Sequence, residues 1–379
     1  MIAAGIEESF MPALFTPYRL KDVTLRNRVA VAPMCQYSAV DGCVTDWHLP
    51  HYVGMARGGA GLVMVEATAV SADGRISPGC TGVWSDEQVA GMAQIARGIA
   101  SAGAVPGIQI GHAGRKASAN RPWEGDDHIR EGDPRGWETI SPSPIAFGGG
   151  LSKVPREMTL ADIQRVQADF VAAARRALAA GFQWLELHFA HGYLAQSFFS
   201  VHANRRTDGY GGDAARRGRF LEETVAAVRA VWPERLPLAA RFGVIEFDGR
   251  DEQTLAEAIE LAKRFRSAGL DFLSVSIGFS TKAGAPPWAP AFMAPVAERV
   301  RRESGLPVAT AWGMDRPADA ERAIASAQMD LVMIARAHLA DPHYAYALAL
   351  ALGADQPELS TLPAPYAHWL AHYRQRSSG

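Results

Sequence analysis

Cysteine is scarce in this chain: Cys35, Cys43 and Cys80 are the only three in 379 residues. They are irregularly spaced and include no CxxC pair, which excludes a disulfide framework and a thiolate cage for zinc or an iron–sulfur cluster, and their scarcity fits a reducing compartment such as the cytoplasm. A dominant charge is also missing. With a formal net charge of −2 and no long block of like charge, there is no electrostatic footprint for nucleic acid or an anionic membrane surface. The N-terminal segment has no basic stretch ahead of an apolar run, and no segment reaches the roughly 18 consecutive apolar residues that a spanning helix needs. No internal repeat shorter than a strand–helix unit is present. What remains is a chain 48% hydrophobic, able to bury a large core, whose expected partners are small molecules and copies of itself.

Short β-type runs alternate with helical-period stretches along nearly the whole length. Eight candidate strands occupy 27–34, 60–70, 104–112, 184–190, 238–243, 272–278, 307–312 and 331–336, and this alternation argues for a parallel sheet. Helices are expected to begin near Asp86, Thr159, Ala214, Asp251, Ala291, Pro317 and His338; Thr159 with Asp162 three residues on is a capping signal. Ala-Gly pairs at 102–103, 180–181 and 268–269 read as left-handed helix stops ahead of the next strand. Eight such units with no long linker predict one α/β domain over residues 1–379, a closed (β/α)8 (TIM) barrel rather than a doubly wound sheet. The excess length falls in an N-terminal hairpin (14–26) plugging the barrel bottom, a Gly/Pro-rich loop after strand three (113–157) covering the site, and a C-terminal tail (353–379).

In such a barrel the chemistry sits at the C-terminal ends of the strands. Those ends read Pro33-Met34-Cys35-Gln36-Tyr37, Ala67-Thr68, Gln109 to His112, His188 to Tyr193, Arg241, Trp312-Gly313 and Ala335-Arg336. His188 and His191 share no face of a strand, so both reach the barrel mouth only if the chain turns, which Gly192 makes easy; the pair then offers two donors to one oxygen. Arg241 closes an apolar strand and is costly to bury without an anion. Arg336 and Trp312-Gly313 fall where phosphate groups sit in this architecture. Each has a plainer alternative: Cys35 as a small buried apolar residue, Tyr37, Trp312 and Trp369 as packing aromatics, and either histidine as a satisfied structural residue. Cys43, His48 and His51 have loose metal-ligand spacing, but no strand-end carboxylate or second histidine pair joins them, and no metal is expected.

Taken together PMCQY, Gln109, LHFAHGYL, NRRTDGYGG, ARFG, TAWG and the arginine at 336 resemble the Old Yellow Enzyme family of flavin-dependent ene-reductases, from about residue 14 to residue 373. The Cys35 and Tyr37 pair, HxxH and PAPYAHWL resemble its xenobiotic reductase A branch in the thermophilic-like class. The resemblance implies non-covalent FMN, reduction by NADPH or NADH, and reoxidation by α,β-unsaturated carbonyl or nitro compounds. It implies that hydride leaves flavin N5 for the β-carbon while Tyr193 protonates the α-carbon, with His188 and His191 holding the acceptor oxygen and Cys35 tuning the flavin.

By the same resemblance FMN is bordered by Pro33, Met34, Cys35 and Ala67. Gln109 and Arg241 meet its pyrimidine edge, Ala311 and Trp312 lie alongside, and Gly313, Ala335 and Arg336 hold the phosphate. Tyr37, Trp312 and Trp369 join the histidines around the substrate, and a homodimer is expected. Many relatives have Gly-Arg where this chain has Ala335-Arg336; alanine disfavours positive φ, so contact through that amide depends on the local backbone. Two other readings are a dehydrogenase or dienoyl-CoA reductase relative, which would carry a cysteine-rich cluster and a further flavin domain, and a flavin-binding sensor or store, which would have no use for the proton donor Tyr193.

Overall fold

The structure is a computed structural model that describes residues 10–377. Eight parallel strands close a barrel in sequence order: β1 (Val29–Val31), β2 (Leu62–Ala69), β3 (Val105–Gly111), β4 (Trp184–Phe189), β5 (Leu238–Ile245), β6 (Phe272–Ile277), β7 (Val308–Thr310) and β8 (Leu331–Ile334). Every expected strand is present. These segments read as nearly unbroken apolar runs because a parallel barrel strand is covered on both faces, by the interior and by the helical ring. The ring is α1 (His48–Arg57), α2 (Val89–Ser101), α3 (Leu160–Ala179), α4 (Arg219–Arg229), α5 (Asp251–Ser267), α6 (Ala294–Ser304), α7 (Pro317–Ala325) and α8 (Tyr344–Ala351).

Local chemistry explains the helix ends. At the start of α3 the Thr159 hydroxyl accepts from Asp162 N–H while the Asp162 carboxylate accepts from Thr159 N–H at 2.8 Å, so two otherwise orphaned donors are satisfied. Gly103, Gly181 and Gly269 follow α2, α3 and α5 with φ of 84°, 89° and 100°, the conformation that ends a helix without a Cβ penalty. Strands Tyr18–Leu20 and Val23–Leu25 form an antiparallel hairpin. Tyr18 meets Phe272, the first residue of β6, ring to ring at 6.4 Å, and Arg26 donates to the carbonyls of Ala60 and Ala102 just ahead of β2 and β3. The hairpin therefore covers the N-terminal end of the barrel, away from the chemistry.

The loop 113–157 has little regular structure and is tied down by buried polar groups. His128 bridges its two limbs, with Nε2 3.1 Å from the Arg115 carbonyl and Nδ1 accepting from Lys153 N–H at 2.9 Å. The loop also sends Lys116 inward, where its ammonium donates to the carbonyls of His191 (2.6 Å) and Phe279 (3.1 Å). The tail forms helices Pro357–Thr361 and Ala364–Ser377.

Glu66 is buried inside β2 at a β-bulge between Val65 and Ala67. It accepts from Tyr52 O–H and Gln36 N–H, both at 2.8 Å, and so anchors the turn after β1. Burial raises its carboxyl from the usual 4.5 to about 7. A carboxyl whose pKa is raised on folding stabilises the fold below the unfolded pKa, and that contribution is lost as pH rises through the folded one. Stability should fall between about pH 4.5 and 7, by up to about 3 kcal/mol from this group. Urea unfolding at pH 5 and pH 8 checks this: Glu66→Gln should lose less stability across that interval than the wild type, and equal losses would mean Glu66 does not titrate there.

Candidate active site

The β4 strand ends at Phe189, and the chain then turns through two consecutive left-handed residues, His191 (φ 61°) and Gly192 (φ 69°). A Cβ on Gly192 would stand 2.4 Å from the Phe279 carbonyl oxygen, so only glycine fits. A non-glycine residue at positive φ stores strain, and His191 carries it where the turn directs its ring to the barrel mouth. Three side chains converge as a result. His188 lies 5.0 Å from His191 and 4.9 Å from Tyr193, centroid to centroid, and His191 lies 6.4 Å from Tyr193. The turn required for the two histidines to act together is present.

Burial and nearby positive charge hold both histidines neutral. Desolvation first, then Arg241 and Lys116, push His188 and His191 well below the ordinary imidazole range. Each ring then has one N–H to donate and one nitrogen to accept. Burial pushes the Tyr193 phenol well upward, so it keeps its proton at neutral pH, and it pushes the Lys116 ammonium down to about 7.

Strand register places the charged groups beside this cluster. His188 pairs with Arg241 across β4 and β5, and Gln109 pairs with Glu186 across β3 and β4. Gln109 Nε2 donates to the buried Glu186 carboxylate at 2.7 Å, and the same carboxylate offsets part of the cost of burying Arg241. Arg241 is 6% exposed, yet its Nε has no hydrogen-bond partner. The β5 strand runs on to Ile245, so Arg241 lies at its middle and does not close it as the apolar run suggested; an unsatisfied buried guanidinium nitrogen asks for an acceptor, which the electron-rich N1 and O2 edge of a flavin would supply.

A cleft of about 900 Å³ runs from Arg241 and His191 past Pro33, Ala311 and Trp312 to Gly313, Ala335 and Arg336. Gly313 takes φ 69°, and a Cβ there would stand 2.6 Å from Ala291 N. Ala335 has φ −105°, so this backbone needs no glycine and its alanine is accommodated. The cleft is roomy enough for a mononucleotide, and its lining includes the arginines at 241 and 336 that the ring and phosphate of FMN call for.

On the other side of the barrel mouth, burial raises the Cys35 thiol well above its usual range, with Ala67 and Tyr37 beside it. A neutral thiol suits a tuning role better than a nucleophilic one. Gln36 Nε2 donates to the Met34 carbonyl at 2.8 Å, closing the turn that carries Met34 and Cys35. Tyr37 takes φ 51° and meets Trp123 of the covering loop at 5.8 Å.

Ala67, His188 and Tyr193 line a small pocket beside the cleft, whereas Trp369 lines neither: it lies in the last helix, 72% exposed. Several residues of the site carry no strong sequence signal. Trp288 and Phe292 wall the cleft beside Trp312. Ser276, Glu186 and Lys116 support the histidines and Arg241; Ser276 and Glu186 sit inside strands that read as core, and Lys116 arrives from a loop. Cys43, His48 and His51 gather no ligands: His48 Nδ1 accepts from Thr45 N–H, and His51 packs on Tyr52. Among the described residues no group of three or more histidine, cysteine, aspartate or glutamate side chains could hold a metal, and no helix is long and apolar enough to cross a membrane.

A closed parallel barrel with this cleft over its C-terminal face is the frame of a flavin-dependent, NAD(P)H-consuming oxidoreductase. The chain belongs to the NADH:flavin oxidoreductase / NADH oxidase family, the Old Yellow Enzyme family, whose model matches residues 13–352. FMN is its cofactor and NAD(P)H its reductant. The chain is 40% identical to an NADPH dehydrogenase of Listeria welshimeri over 345 residues, covering 90% of this chain and 96% of that one. An NADPH dehydrogenase of a Geobacillus species is 39% identical over 342 residues, with 90% and 94% coverage.

Among solved structures, morphinone reductase in complex with tetrahydroNAD superposes with a TM-score of 0.75 at 26% identity, covering 91% of this chain and 92% of that one. The Old Yellow Enzyme homologue from Zymomonas mobilis gives 0.73 at 26% identity, with 87% and 90% coverage. A 2-naphthoyl-CoA reductase complex gives 0.80 at 25% identity, and there this chain spans about half of the longer one, 53% against 92% of its own length.

Proposed function

We propose that this enzyme reduces the activated C=C bond of α,β-unsaturated carbonyl and nitro compounds. The observation that carries this reading is the convergence of two neutral imidazoles and one protonated phenol at the barrel mouth, beside a buried arginine. When bound, FMN would supply the hydride equivalent drawn from NAD(P)H. His188 and His191 each donate one N–H to the carbonyl or nitro oxygen, drawing electron density from the β-carbon and stabilising the anion that forms on oxygen. Tyr193 gives its phenolic proton to the α-carbon and recovers one from solvent. Arg241 would offset negative charge on the pyrimidine edge of the flavin, Gln109, held by Glu186, would border that edge, and Gly313, Ala335 and Arg336 would hold the phosphate.

A flavin store or sensor needs none of the three convergent side chains, which favours the enzyme. A homodimer working in the cytoplasm would give the exposed indole of Trp369 a neighbouring surface to meet.

Isotope placement tests the reaction. With NADPH deuterated at the transferred position in ordinary water, the cyclohexanone formed from 2-cyclohexenone should carry deuterium on the former β-carbon only, and in heavy water with unlabelled NADPH on the former α-carbon. Label from NADPH at the α-carbon would overturn the assignment of roles. Cys35→Ser should shift the midpoint potential of the bound flavin in an anaerobic dye-coupled titration; an unchanged potential would leave Cys35 as packing.

A further inference from the structure

Ser276 is the next-to-last residue of β6, fully buried, and its hydroxyl has two partners: Trp312 Nε1 at 3.0 Å and His191 Nε2 at 2.9 Å. An indole N–H can only donate, so the Ser276 oxygen accepts from Trp312. The hydroxyl still has its own hydrogen to place, and among the described residues the one remaining partner is His191 Nε2. If Nε2 also carried a hydrogen, the serine O–H would be buried with no acceptor, an arrangement folded proteins avoid. Ser276 therefore donates to Nε2, and a neutral His191 must carry its proton on Nδ1. His188 is set the opposite way: its Nδ1 accepts from Ala190 N–H at 3.3 Å, which leaves the proton on Nε2.

We propose that Ser276, oriented by Trp312, is a positioning residue that holds His191 as the Nδ1–H tautomer and so keeps its single donor free for the acceptor oxygen. The identity of that oxygen rests on the function proposed above, whereas the tautomer does not. The groups facing His191 keep the ring neutral, so that one N–H is all it has: Arg241, His188 and Lys116 all oppose a second proton.

The test is a long-range ¹H–¹⁵N spectrum of the FMN-loaded full chain labelled with ¹⁵N-histidine, with the His191 signals assigned by their loss in His191→Gln. The expected wild-type spectrum shows Nδ1 protonated. In Ser276→Ala both tautomers should be populated, and affinity for 4-hydroxybenzaldehyde, read from its charge-transfer band with the flavin, should fall roughly tenfold, the equivalent of one lost hydrogen bond. Ser276→Thr should restore both. A wild-type spectrum with the proton on Nε2 would overturn the proposal, and so would a Ser276→Ala spectrum identical to wild type. The wild-type spectrum decides even if the alanine variant fails to fold. Absence of the charge-transfer band in the wild type would instead overturn the oxygen-binding role of the histidines, leaving the tautomer to stand or fall on the spectrum alone.

Discussion

Replacing Tyr193 with phenylalanine should slow reoxidation of the reduced enzyme by an enone by roughly 10²- to 10⁴-fold, the usual contribution of a positioned general acid, and leave reduction by NADPH close to the wild-type rate. The substitution keeps the ring that packs 4.9 Å from His188 and removes only the hydroxyl, so the cleft should hold its shape. The two half-reactions separate the proton donor from a packing residue. Delivery of hydride by NADPH needs no proton at the α-carbon of the alkene, while completion of the reduction does. Stopped-flow traces of each half-reaction give the answer, and equal slowing of both would remove Tyr193 from the acid role.

If the histidines hold the acceptor oxygen, a phenol bound there should give a charge-transfer band with the flavin, and His188→Ala combined with His191→Ala should abolish it. The double variant should also lower kcat/KM for enones by about 10²- to 10³-fold, the typical effect of losing donors to a developing oxyanion. His188 is buried and His191 half-buried beside Arg241, so the double variant also opens space next to a guanidinium whose Nε has no hydrogen-bond partner; the midpoint potential should be measured with it to separate lost substrate binding from altered flavin. In the wild type the histidines are held neutral well below the ordinary imidazole range. Phenol affinity should accordingly show no histidine break between pH 6 and 8, and a break in that range lost in the double variant would contradict neutral donors.

Much of the fold was legible because its signals are local. Barrel strands are covered on both faces, so they appear as apolar runs, and capping and stopping residues such as Thr159, Gly103 and Gly269 act within a turn of the helices they bound. The His188–His191–Tyr193 cluster was legible for the same reason: three residues and one glycine-assisted turn assemble it. The supporting groups were not. Ser276 reaches His191 from a strand 85 residues on, Glu186 meets Gln109 across 77 residues, and Lys116 reaches the His191 carbonyl from the long covering loop. Their roles depend on barrel closure and strand register, which no window of sequence contains. Within its own sequence neighbourhood Trp369 is an aromatic residue on a helix, and nothing local distinguishes a packed indole from the exposed one the fold presents.

An anaerobic visible-spectrum titration addresses the proposed reaction most directly. The purified, FMN-loaded protein should be yellow, bleach on addition of NADPH, and regain its colour when one equivalent of 2-cyclohexenone is added in the absence of oxygen. Bleaching with no recovery on adding the enone or a nitroalkene would contradict the proposed alkene reduction and leave only the NADPH-consuming flavin half-reaction.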